Sequence, residues 1–146
     1  MDTWQHILDF EPFLRLLDMK AELLGPDYVV LRLPVRQEIA NHLGGLHGGV
    51  QFTLGEATAL AVAVLSLGEP LDQVAALTRS ATITYQKEAP GDLVAHARVL
   101  HEERERLRNS WETQRRARLT VPVEIADASG QAVTALSVDC LVLPRV

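Results

Sequence analysis

Between Leu43 and Gly68 the chain carries a single formal charge, Glu56. The stretch Asn41 to Leu65, NHLGGLHGGVQFTLGEATALAVAVL, opens with a glycine-rich turn holding two histidines and runs into an apolar segment long enough for a helix of several turns. A helix that is apolar almost all round is buried, so the rest of the chain must wrap around it. A lone carboxylate on such a helix loses its water and is strongly disfavoured unless something satisfies it. No Lys or Arg lies within reach on the same helix. Either the fold supplies a partner from elsewhere, or the acid sits where water or a substrate meets it.

The wrapping has to come from a short chain. Its 146 residues suit one domain, 1–146, with room for a real core. Apolar residues at 47% and charged residues at 23% match a globular protein rather than a disordered one. A net charge of −5 argues against nucleic acid as partner and gives no broad attraction to anionic ligands. Cys140 is the only cysteine, so no disulfide framework is expected. The beginning, MDTWQHILDF, lacks the basic region and apolar core of a secretory signal. The longest uncharged apolar run, Ala57 to Leu67, is too short to cross a bilayer. The expectation is a cytoplasmic enzyme or binding protein with no membrane partner.

Along the chain, Trp4, Ile7, Leu8, Phe13, Leu16 and Leu17 lie close to helical spacing, and Pro12 suits a first turn. Two short helices with a break near Phe10–Glu11 are predicted, ending at a Gly25–Pro26 turn. Tyr28 to Pro34 reads as a strand and Val35 to Leu46 as a loop. The central helix runs from about Gly48 to Leu67 and stops at Gly68. Strands follow at Val74 to Gln86 and Leu93 to Leu100, around an Ala89–Asp92 turn. His101 to Thr113 has helix composition, with Glu102 and Arg106 spaced for an ion pair. Arg115 to Ala126 is a strand in which Pro122 suggests an edge or a bulge. Asp127 to Gly130 is a hairpin turn, and Gln131 to Leu143 is the last strand. Strands joined mostly by tight turns favour an antiparallel sheet, packed by one face on the central helix in a small α+β domain.

The chemistry concentrates at the helix start. Gly48 and Gly49 expose backbone N–H groups at the positive end of the helix dipole, where negative charge is stabilised. The oxyanion that develops in acyl transfer is one such charge, although glycines alone are better explained by a tight loop-to-helix turn. Glu56 lies eight residues further on the same helix, roughly 12 Å away at the helical rise. One reacting carbonyl cannot touch both within one chain. If both act on it, a two-fold axis must bring the Glu56 of one subunit to the Gly48 of another, giving two shared sites per dimer. Asn41 and His47 are candidates for orienting a ligand or the turn, and Thr78 could hold a carboxylate or a water. His42 and His47 lack further ligands, so no metal is expected. No G-x-S-x-G nucleophile motif and no phosphate-binding loop is present. The arginines between 104 and 118 alternate with acids and read as a solvated helix face, a nucleotide-phosphate contact being the minority reading.

Asn41, then His47–Gly48–Gly49, then Glu56, followed by strands with Pro90–Gly91–Asp92 at a turn, resembles the hotdog-fold acyl-CoA thioesterases of the PaaI-like group. The resemblance spans roughly Leu24 to Leu143. It implies a hotdog fold, a curved antiparallel sheet of about five strands wrapped around one long helix, with short N-terminal helices here. It also implies dimers joined edge to edge, often paired into tetramers, with active sites between subunits. Position by position, Glu56 matches the catalytic Asp or Glu and Gly48 the glycine whose N–H polarises the thioester carbonyl. Asn41 and His47 match orienting residues, and Thr78 a hydroxyl that assists the carboxylate. The implied reaction is hydrolysis of an acyl-CoA thioester, with no cofactor beyond the CoA of the substrate. An acyl-thioester hydratase or dehydratase, and a non-catalytic acyl-CoA-binding protein, are the alternatives. The longer His101–Thr113 helix and the extended N-terminus resemble an uncharacterised sub-branch.

Overall fold

The computed structural model describes residues 2–146. The Asp2 side chain accepts the Trp4 N–H at 2.9 Å and caps α1 (Thr3–Phe10). Glu11 breaks the helix and Pro12 restarts it as α2 (Pro12–Leu16), because proline fits a first turn whose N–H is unpaired anyway. Two strands follow, β1 (Lys20–Leu24) and β2 (Tyr28–Leu33). Then comes α3 (Gly48–Leu67), which ends where Gly68 takes a left-handed conformation at φ 75°. The remainder is β3 (Val74–Tyr85), β4 (Leu93–Arg98), α4 (His101–Gln114), β5 (Ala117–Ala126) and β6 (Ala132–Pro144).

The six strands form one antiparallel sheet in the order β1-β2-β4-β5-β6-β3, curved around α3. Strand β5 shows how sequence sets the faces. Ala117, Leu119, Val121, Val123 and Ile125 point inward and are buried, while Arg118, Thr120, Pro122 and Glu124 point out. On the helix, Leu54, Ala59, Val62 and Ala63 have no exposed surface. Each fully buried Leu or Val of this kind contributes about 1.5–3 kcal/mol relative to leaving it in water. At Gly55 helix and sheet come close, since a Cβ there would lie 2.6 Å from a methyl of Leu136 on β6. By length and composition alone α3 is long and apolar enough to cross a membrane, but 56% of its most apolar stretch is buried within its own chain.

One expectation is corrected and one narrowed. The sheet has one more strand than about five, because Lys20–Leu24 pairs with β2 as a short edge strand. Its charged, mostly exposed side chains and the bulge between Ala21 and Leu23 hide the alternation that marks a strand. Pro122 marks a local edge rather than an edge strand or a bulge, since β5 runs between β4 and β6. It sits one residue beyond Val123, the last β5 residue paired with β4, where that ladder has stopped asking for hydrogen bonds.

Candidate active site

The turn that leads into α3 is held by Asn41. Its Oδ1 accepts the N–H groups of Leu43 at 2.8 Å and Gly45 at 3.2 Å, and its own N–H donates to the Gly45 carbonyl at 2.7 Å. A Cβ on Gly45 would stand 2.4 Å from the Ala89 carbonyl oxygen, so the turn can lie against the Ala89–Asp92 loop only with glycine there. Asn41 therefore orients the turn. His47 caps the helix: its Nδ1 accepts the Gly49 N–H at 2.9 Å, and its carbonyl accepts from Val50 and Gln51, both at 3.0 Å. Tyr85, at the end of β3, donates its hydroxyl to the Gly48 carbonyl at 2.7 Å and pins the helix start to the sheet.

These bonds account for Gly49, Val50 and Gln51 but not for the first helical donor. Among the described residues no protein acceptor takes the Gly48 N–H. It is a half-exposed amide at the positive end of a 20-residue helix. Beneath it, buried Gln51 donates to the Leu46 carbonyl at 2.9 Å and accepts from the Thr134 hydroxyl, which locks the turn to β6.

Glu56 lies two turns further on, half-buried. It takes part in none of the ion pairs among the described residues. It lines a cavity of about 110 Å³, walled by Leu14 of α2, Leu60 and Val64 of α3 and Val74 of β3. Glu11 and Arg145 line the same cavity. Burial first, then the Glu56 charge, raises the Glu11 carboxyl above its ordinary value, and Arg145 opposes that shift. Opposite this cavity, burial pushes the Cys140 thiol up to about 12, with the charges of Asp139 and Glu56 adding to it, so Cys140 is a neutral core residue. Thr78 pairs with Cys140 across β3 and β6, and its Oγ1 is buried without a hydrogen-bond partner among the described residues. Ala76, two residues before it on the same strand face, also lines the cavity.

The candidate residues thus form two groups. Asn41, His47 and Gly48 gather at the helix start, while Glu56 lines the cavity and Thr78 lies two residues along β3 from Ala76, which lines it too. Nothing in one chain brings the groups together. The sequence reading missed Glu11 and Arg145 as neighbours of Glu56, because they come from opposite ends of the chain. It also missed Tyr85, whose hydroxyl ends an otherwise ordinary strand. Two of the arginines in α4 are neither solvated nor set for a phosphate: Arg104 Nε donates to the Ser66 carbonyl at 2.9 Å and Arg108 Nε to the Leu67 carbonyl at 3.3 Å.

A family model described as a domain of unknown function, DUF4442, matches residues 5–142. The chain belongs to the DUF4442 family. No curated protein matches its sequence. Among solved structures, this DUF4442 chain is similar to PA5026 of Pseudomonas aeruginosa, described as a probable thioesterase, at 23% identity and TM-score 0.80, covering 94% of this chain and 91% of that one. It is similar to a variant of the Staphylococcus aureus thioesterase SAV0944 at 17% identity and TM-score 0.72, covering 91% and 99%. A Chlorobaculum tepidum protein of unknown function gives 15% identity and TM-score 0.84, covering 95% and 90%. At these identities the likeness is one of fold, and the fold is the hotdog fold.

Proposed function

We propose that this DUF4442 protein hydrolyses an acyl-CoA thioester to the free acid and CoA, at a site completed by a second copy of the chain. The observation that carries the reading is Glu56: among the described residues, a carboxylate with no ion-pair partner, lining a cavity, on the helix whose first N–H is unpaired. The Gly48 N–H of one subunit would donate to the carbonyl oxygen as it becomes negative. Glu56 of the other subunit would take a proton from water as the water oxygen bonds to the carbonyl carbon, or would itself attack to give an anhydride that water opens. On the water route the carbon–sulfur bond breaks as the tetrahedral adduct collapses, and the CoA thiolate takes the proton from Glu56; on the anhydride route the bond breaks as the anhydride forms, and the water that then opens it supplies the proton to the thiolate and returns the Glu56 carboxylate. No cofactor enters, and Thr78 would steady the carboxylate from below.

Pairing through β3 supports the shared site. This strand is 12 residues long and forms an open edge of the sheet, with Leu77 at 52% exposure. A long unprotected edge is a template for another strand, and edge-to-edge pairing would extend the sheet across a two-fold axis. A pair of such dimers, a tetramer, is compatible with the same geometry. His47 weighs against the hydratase reading. Its Nδ1 accepts a hydrogen bond, so the neutral ring carries its proton on Nε2 and cannot accept one there without losing the cap.

The cavity also favours a class of acyl group. At about 110 Å³ it is smaller than the apolar cavities of about 150 Å³ that hold a benzene ring. Short aliphatic acyl-CoAs should therefore outrun aromatic ones. The test is thiol release across acetyl-, butyryl-, octanoyl- and phenylacetyl-CoA, run beside Glu56→Gln. Release by the wild type with a loss of at least about a hundredfold in the variant supports the reading. Release that survives in the variant removes Glu56 from the mechanism, and tight binding without any release favours a binding protein instead.

A further inference from the structure

The open edge strand β3 carries an irregularity that limits how it can pair with a copy of itself. Opposite residues of an antiparallel pair share a face. Ala76 and Thr78 are half-buried and lie across from Val142 and Cys140 of β6, on the inner face toward α3. The register slips between Thr78 and Ser80, where Arg79 is passed over by the ladder. Beyond the slip the inner positions are Ala81, Ile83 and Tyr85, across from Val138, Leu136 and Thr134. Leu77, Ser80, Thr82 and Thr84 are exposed on the outer face. A strand with such a slip cannot meet its own copy in one uniform register. Its pairing must change step where the copy's Arg79 stands.

Two landmarks on β3 belong to the two halves of the site. Tyr85 marks the helix start, because its hydroxyl donates to the Gly48 carbonyl at 2.7 Å. Ala76 marks the acid, because it lines the same cavity as Glu56. On the β6 ladder Tyr85 is opposite Thr134 and Ala76 opposite Val142; midway between them, opposite Val138, is Ala81. A two-fold axis at Ala81 sets each Tyr85 level with the other chain's Ala76. The faces then agree along the whole contact. Ala81 meets its own copy and Ser80 meets Thr82. Once the copy's Arg79 is passed over, Ile83 meets Thr78, Thr84 meets Leu77 and Tyr85 meets Ala76. Each pair is inner with inner or outer with outer, and the centre carries only small side chains.

We propose that β3 pairs with the β3 of a second copy about a two-fold axis at Ala81, so that Tyr85 of each subunit stands against Ala76 of the other and walls the cavity beside Glu56. The choice of axis rests on the shared site proposed above. Both sides of the contact suit it. Glu56, Ala57, Leu60, Val64 and Ala76 line the cavity yet are only half-buried, so it opens to the surface. Tyr85 is 49% exposed although its hydroxyl is tied down. Set against Ala76, its ring narrows the mouth of the other chain's cavity, and its hydrogen bond carries Gly48 toward the other chain's Glu56. Tyr85 thereby sets how broad an acyl group can enter.

Cysteine pairs read this register without reference to activity. Opposite Cα atoms of an antiparallel pair lie about 4.5–5.5 Å apart, within the span of a disulfide. The native Cys140 is buried and stays out of the reaction. Under oxidation by diamide, Ala81→Cys should give a disulfide-linked dimer. The double variant Leu77→Cys/Thr84→Cys should do so too, and its exposed positions keep the test open should Ala81→Cys fold badly. Thr84→Cys alone should stay unlinked, because its two copies would stand roughly 20 Å apart. Ala76→Cys mixed with Tyr85→Cys should link across the cavity. A link in Thr84→Cys alone, or none in the double variant or in the Ala76–Tyr85 mixture, overturns the proposal. In the thiol-release panel, Tyr85→Ala should raise kcat/KM for phenylacetyl-CoA relative to butyryl-CoA by at least about tenfold, while Tyr85→Phe, which keeps the ring, leaves the ratio in place. A Tyr85 that only pins the helix would lower turnover of both substrates alike, and an unmoved ratio in Tyr85→Ala removes it from the cavity wall. The failures are separable. A wild type that releases no thiol defeats the hydrolytic reading, while the cysteine links still decide the register and the reach of Tyr85.

Discussion

The two ends of α3 are built on opposite plans. At the C-terminal end the carbonyls are taken up one after another: Leu65 accepts from the Gly68 N–H, Ser66 from Arg104 and Leu67 from Arg108. Helix α4 supplies two cations to the negative end of the dipole, which stabilises that end twice over. At the N-terminal end His47 satisfies the second, third and fourth donors and leaves the first, on Gly48, without a partner among the described residues. A structure that can close one end so fully, and holds the other by Tyr85 and Gln51, has the means to close both. The open amide is what a binding or catalytic role would keep, and the lone acid two turns on points the same way.

If that contrast is right, variants at the two ends should fail differently. The largest effect is expected from Gly48→Pro. Proline fits the first helical position, and His47 already has the extended backbone that precedes proline, so the helix should survive while the N–H is lost. The new ring would press on the exposed Tyr85 hydroxyl, 3.1 Å from the added Cβ, which can swing away. Turnover should drop by about a hundred- to a thousandfold with little change in melting temperature. Unchanged turnover in this variant would make the Gly48 amide irrelevant.

A middle-sized effect belongs to His47. Replacement by Ala should cost about 1 kcal/mol of stability through the lost cap, whereas Asn, a good capping residue, should restore it. If His47 only caps, thiol release per folded molecule will be similar in His47→Asn and wild type. A turnover loss that Asn does not repair would give the imidazole a chemical role. The smallest effect on chemistry lies at the far end. Arg104→Ala should remove about 1 kcal/mol, some 2–4 °C in melting temperature for a chain this size, and leave turnover alone. Loss of activity there, with stability intact, would bring back a substrate contact for α4.

Much of this was legible in the residues themselves. The central helix was bounded to the residue, because glycines mark its start, Gly68 its end, and a run with one charge has nowhere to go but inside. The strands with alternation or β-branched runs, such as β5 and the ATITY part of β3, stood out for the same reason. β1 did not, since a short edge strand with exposed charges carries no periodic signal. Pro122 marked only a local edge, because the end of a neighbour's ladder leaves no trace in the strand that outlasts it. At the site, Asn41 and His47 stood out as candidates for orienting a ligand or the turn, but the hydrogen bonds by which they hold the turn and cap the helix show only once the chain is folded. The meeting of Glu11, Glu56 and Arg145 could not be read either, because it depends on the two chain ends folding over the same helix face.

The central claim is that one chain's Glu56 works with another chain's Gly48, and mixing two dead variants tests it most directly. Glu56→Gln and Gly48→Pro should each be nearly inactive alone. Co-refolded in equal amounts, half of the dimers would be mixed, and each mixed dimer would hold one intact site, so roughly a quarter of wild-type thiol release should return. Recovery near that level is the expected result. No recovery, with mixed dimers demonstrably present, would contradict a site shared between chains.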